Sequence, residues 1–86
     1  MTGKVMTKYA FRGECLQDVF TFVAAVADYA RIIGLQVEQD PIFPDCDAWV
    51  VVDLSLKKLQ EIACNIEDGH IIAESITLEG VEEIRL

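Results

Sequence analysis

Residues 4–34 read KVMTKYAFRGECLQDVFTFVAAVADYARIIG, and a change of period inside this stretch decides the fold. From Lys4 to Arg12 the residues alternate. Val5, Thr7, Tyr9 and Phe11 fall on one side, and Met6, Lys8, Ala10 and Arg12 on the other. Period two with aromatic and β-branched content predicts a strand, which Gly13 breaks. From Cys15 to Ile33 the period changes. Leu16, Val19, Phe20, Val23, Val26, Ala27, Ala30 and Ile33 recur at three and four, which predicts an amphipathic helix of about five turns. Gly34 is placed to end that helix in the left-handed conformation.

The same switch of period recurs downstream. Leu35 and Val37 predict a short second strand, and Asp40-Pro41 and Pro44-Asp45 bracket a loop. Ala48 to Leu54 is a valine-rich third strand. Ser55 is placed to cap a second helix in which Leu56, Leu59, Ile62, Ala63 and Ile66 share a face, and Asp68-Gly69 ends it. His70 to Leu78 reads as a fourth strand, although Ile71, Ile72, Ser75 and Ile76 also fit a helical face. Gly80 makes a turn, and Val81 to Leu86 form a short tail or extra strand. The order β-α-β-β-α-β predicts a single α+β domain over residues 1–86. The expected architecture is ferredoxin-like: a four-stranded antiparallel sheet with both helices on one face.

That arrangement leaves the other sheet face open. By pleat parity the open side of the first strand holds Met6, Lys8, Ala10 and Arg12, and that of the third holds Trp49, Val51 and Asp53. Turning Glu74 outward places Ile72 and Ile76 outward as well. The expected partner-binding patch is therefore Met6, Trp49, Val51, Ile72 and Ile76. The composition agrees with such a patch. Of the 86 residues 52% are hydrophobic, which is a large share for a small interior.

The net charge is −8, from 15 acids against 7 bases, and it is uneven. Residues 32–86 hold twelve acids and three bases, with no base between Arg31 and Lys57. This argues against direct contact with nucleic acid or an anionic membrane and favours a basic partner protein. Three cysteines, Cys15, Cys46 and Cys64, at unrelated spacings are not a disulfide framework and predict a reduced, cytoplasmic protein. The most apolar stretch, Val19 to Ala27, is too short to span a bilayer. No metal or cofactor is expected, because Cys64 and His70 are the nearest pair of ligand types and they straddle a helix end. No nucleotide-binding or hydrolase motif is present.

Small acylphosphatases share the size and element order, but they need a phosphate-cradling loop with an arginine after the first strand. The corresponding junction, Arg12-Gly13-Glu14-Cys15-Leu16-Gln17-Asp18, has one glycine and two acids that repel phosphate, so the resemblance stops at the fold. The sequence thus predicts a small acidic protein-binding or assembly module, self-associating as a homodimer, without catalytic residues. Two alternatives stand beside it. One is an inhibitor of phage or mobile-element type whose acidic surface mimics nucleic acid. The other is a small dimeric enzyme or sensor with a pocket between sheet and helices that holds His70 or Cys46.

Overall fold

A computed structural model describes the backbone of residues 3–85 and the side chains of residues 5–81. Strand β1 spans Gly3–Gly13, helix α1 Leu16–Ala27, β2 Ile32–Gln39 and β3 Cys46–Val52. Helix α2 follows at Leu56–Cys64, α3 at His70–Ser75 and β4 at Thr77–Arg85. The four strands form one sheet in the order β2-β3-β1-β4, and every neighbouring pair is antiparallel.

The strand alternation of β1 sets the core. Tyr9 lies opposite Val50 and Phe11 opposite Ala48, while Leu35 and Val37 of β2 continue these two rows. Val19, Phe22 and Val26 of α1 cover them, and Leu59, Ile62 and Ala63 of α2 complete the cluster. Phe22 meets Phe11 edge-on with ring centroids 4.9 Å apart, a favoured aromatic geometry. The Tyr9 hydroxyl keeps its polar end satisfied by donating to the Leu54 carbonyl at 2.6 Å. Helix α2 begins as its sequence implies, with the Ser55 hydroxyl accepting the Lys58 N–H at 3.1 Å.

Two expectations are corrected. The first helix is shorter than its periodicity suggests. It ends at Ala27, and Ile32 and Ile33 belong to β2. β-branched residues gain more from sheet pairing than from a fifth helical turn, and Ile32 packs opposite Val52. Gly34 accordingly does not cap the helix but sits in β2 opposite Val51, next to a bulge at Ile33.

The second correction concerns the fourth strand. Residues 70–75 form α3, a third helix, and β4 is built from Thr77 onward, including the segment expected to be a tail. Leu86, the last residue of that segment, lies outside the described residues. Asp68 adopts φ 58°, a left-handed turn that aspartate tolerates better than most residues. Gly69 then packs so close to the Ala63 carbonyl that no side chain fits. Its own carbonyl accepts the Ala73 N–H at 2.9 Å and starts α3. The chain leaves the helix at Ser75, whose hydroxyl accepts the Arg12 N–H at 2.8 Å and so occupies the ladder position beyond the first β4 pair.

Candidate protein-binding surface

The correction to the fourth strand removes two of the five residues of the expected patch. Ile72 and Ile76 are 1% and 5% exposed and belong to the core between sheet and helices, not to the open face. Glu74 is exposed as expected, but helical geometry turns Ile72 the other way, and Ile76 enters the core as the extended residue that ends α3. Met6, Trp49 and Val51 do share the open face, since Lys8 pairs with Val51 and Ala10 with Trp49. Met6 and Val51 are nevertheless buried, outside the main core cluster, and Trp49 is half-buried. Met6 lines a hollow of about 370 Å³ with Tyr29, Ala30, Arg31, Ile33, Asp53 and Leu54. The rest of the open face is polar, with Lys8, Gln36, Glu38, Thr77 and the Arg12–Asp47 pair around Trp49. That pair is bidentate, Nε to Oδ1 at 2.7 Å and Nη2 to Oδ2 at 3.3 Å.

The exposed apolar surface lies elsewhere. Among the described residues ten large apolar side chains are exposed, and seven of them lie on α1, on β2 or in the connections at either end of β2. Leu16 and Phe20 are one helical turn apart on α1. In the right-handed crossover that parallel β-α-β units take, this flank of α1 faces the free edge of β2. Leu35 sits below it on the helix side of β2 and remains 44% exposed, because no strand or helix among the described residues covers that edge. Tyr29 ends the α1 side, where the Lys58 ammonium lies 4.3 Å from its ring centre and ties the turn to α2.

The loop joining β2 to β3 carries the most exposed pair. Ile42 and Phe43 are 82% and 62% exposed between Pro41 and Pro44. They are held rather than loose. The Asp40 carboxylate accepts the backbone N–H groups of Ile42 at 2.8 Å and Phe43 at 3.0 Å, and the Asp40 N–H donates to the Asp45 carbonyl at 3.0 Å. The bonds from Phe43 and Ile42 favour the charged form and hold the Asp40 carboxyl below the usual carboxylate range. The two prolines fix φ on either side of the pair.

The chain matches no family model, no curated protein and no solved structure significantly. Function therefore rests on the chemistry of this surface. Around the loop base, Glu38, Asp40, Asp45 and Asp47 line a polar hollow with Arg12, whose pKa is raised chiefly by its hydrogen bond and charge interaction with Asp47. No group of three or more acidic, histidine or cysteine side chains among the described residues is arranged to hold a metal ion. Cys46 lies in the core, where burial raises its thiol pKa, and its Sγ donates to the Pro44 carbonyl at 3.5 Å. Cys15 is half-buried and Cys64 exposed, both as free thiols. His70 is exposed at the start of α3, and neither it nor Cys46 lines any hollow described above. No helix among the described residues is long and apolar enough to cross a membrane.

The periodicity of α1 put Leu16 and Phe20 in the core stripe and left out Phe22, which is fully buried. An Ile-Phe pair enclosed by Asp-Pro and Pro-Asp was the available signal for the loop tip, since bracketed loops lie on the surface.

Proposed function

We propose that the chain is a protein-binding and assembly module of ferredoxin-like topology that acts through the α1 flank, the β2 edge and the loop 40–45. The strand order β2-β3-β1-β4 supports the topology, with α3 as an addition between α2 and β4. The observation that carries the function is that five of the ten large apolar side chains exposed among the described residues, Leu16, Phe20, Leu35, Ile42 and Phe43, belong to the α1 flank, the β2 edge and the loop that follows it. Scattered singly, such residues need no explanation; gathered beside an unpaired strand edge, they mark a contact surface. The rigid loop tip favours the same reading, because ordering Ile42 and Phe43 before contact lowers the entropy cost of binding.

The test is photo-crosslinking in the native host with a photoreactive phenylalanine analogue at position 43. A discrete protein adduct is expected from position 43 and none from the exposed helical position Gln60. Equal smears, or no adduct from either position, would remove the proposal.

A further inference from the structure

We infer that the occupant of this surface is a second copy of the chain, joined antiparallel through β2 so that the two sheets become one of eight strands. The inference rests on the assembly reading above and names its partner. A free strand edge presents unpaired N–H and C=O groups, and an identical strand running the other way satisfies both sets about a two-fold axis. β2 is fit for this role. From Gly34 to Gln39 it is unbroken, has no proline and carries a single charge, Glu38. The opposite edge strand, β4, has the sequence TLEGVEEIR with three glutamates and a bulge at Glu79, features that discourage edge pairing.

The side chains select a register. Leu35 and Val37 face the helix side, and Gln36 and Glu38 the open side. Matching faces requires a residue to lie opposite its own counterpart. Centring the two-fold on Gln36 sets Leu35 against Val37 of the second copy, and Glu38 against Gly34. Centring it on Glu38 would place two carboxylates face to face, centring it on Leu35 would leave only Gly34 to Gln36 paired before the irregularity at Ile33, and centring it on Val37 would part Arg31 from Asp40. Centred on Gln36, each Arg31, just before β2, also comes beside Asp40, just after β2 in the second copy. Arg31 is exposed and makes no ion pair among the described residues. This charge complementarity occurs twice in the pair and opposes the repulsion between two acidic chains.

The helices fit the same arrangement. α1 packs over β1, β3 and β2, and so is centred on β3. With strands about 4.8 Å apart, the two α1 axes would lie roughly 14 Å from each other. That gap exceeds the usual 8–10 Å of packed helices and needs large side chains to fill it. Phe20, 48% exposed, and Leu16 stand on the facing flanks. Together with Leu35 they offer roughly 250 Å² of side-chain surface per copy, about half of what a specific interface needs, and the paired backbone and the Arg31 and Asp40 contacts add the rest.

The test uses the full chain. Sedimentation equilibrium is expected to show a dimer at micromolar concentration. Leu35→Lys and Arg31→Glu are each expected to weaken it about tenfold or more, and Arg31→Glu combined with Gln39→Lys to restore it, since Gln39 ends β2 next to Arg31 of the second copy. In a background with Cys15→Ser and Cys64→Ser, Gln36→Cys is expected to form an intermolecular disulfide under mild oxidation. Directly opposed residues of antiparallel strands have Cα atoms about 4.5–5.5 Å apart, within disulfide reach. Glu38→Cys is expected not to cross-link. A dimer that tolerates Leu35→Lys, or that cross-links equally at 36 and 38, overturns the β2 pairing. A monomer that still yields a position-43 adduct with a different protein overturns the second copy alone. A monomer with no adduct overturns the assembly reading as well.

Discussion

Replacing Ile72 by alanine tests whether residues 70–75 are a packed helix or a strand with an outward face. Ile72 is 1% exposed and lies in the core cluster with Leu59, Ile62 and Ala73. The substitution removes three carbons, worth about 0.8 kcal/mol each in transfer alone, or about 2.5 kcal/mol. α2, α3 and β1 surround the site and cannot collapse into it fully, so a cavity cost adds to this and the total is about 3–4 kcal/mol. For a domain of 86 residues that is a large part of the whole stability and corresponds to a fall in Tm of about 15–25 °C. Urea unfolding followed by the fluorescence of Trp49 and by far-ultraviolet circular dichroism measures it, and the two probes should coincide with an unchanged m-value. The exposed Leu78→Ala serves as the comparison, with an expected loss of about 0.5 kcal/mol. A loss below about 1 kcal/mol for Ile72→Ala would refute the buried helix and return Ile72 to a solvent-facing strand.

Further outcomes are expected from the same structure. Gly69→Ala places a methyl group on the Ala63 carbonyl and should cost about 2–4 kcal/mol, read by the same urea titration; a neutral result would mean the approach of α3 to α2 is looser than described. Tyr9→Phe leaves the Leu54 carbonyl without its donor and should cost about 1 kcal/mol with no change in the sheet's amide exchange pattern. Asp40 has its folded pKa lowered, so its contribution is present above the unfolded value of about 3.9 and is lost as pH falls through the lower folded one. The amide shifts of Ile42 and Phe43 should move in that acid range and stay fixed in Asp40→Asn, whose side-chain oxygen still accepts both bonds; shifts in wild type that stay constant to about pH 2 would count against the turn. Iodoacetamide should label Cys64 readily and Cys46 only on unfolding, as peptide mass spectrometry would show.

Local pattern determined much of this protein. β1, β3 and α2 are legible because each has one dominant period, and Ser55 before the Leu56, Leu59, Ile62 face makes the start of α2 unambiguous. From these elements follow the antiparallel α+β class and the open face shared by Met6, Trp49 and Val51. Where a segment satisfied two periods at once, tertiary structure decided. Ile71 and Ile72 suit a strand or a helix, and the fit of Gly69 against Ala63 tips them into α3. Ile32 and Ile33 continue the α1 pattern, yet pairing with β3 claims them for β2. The exposed apolar surface was the least legible part. α1 is apolar on more than one flank, so its sequence alone does not say that Phe22 goes inward and Phe20 outward. That choice comes from where the sheet ends: among the described residues β2 has no further neighbour, and the flank above it has nothing to pack against.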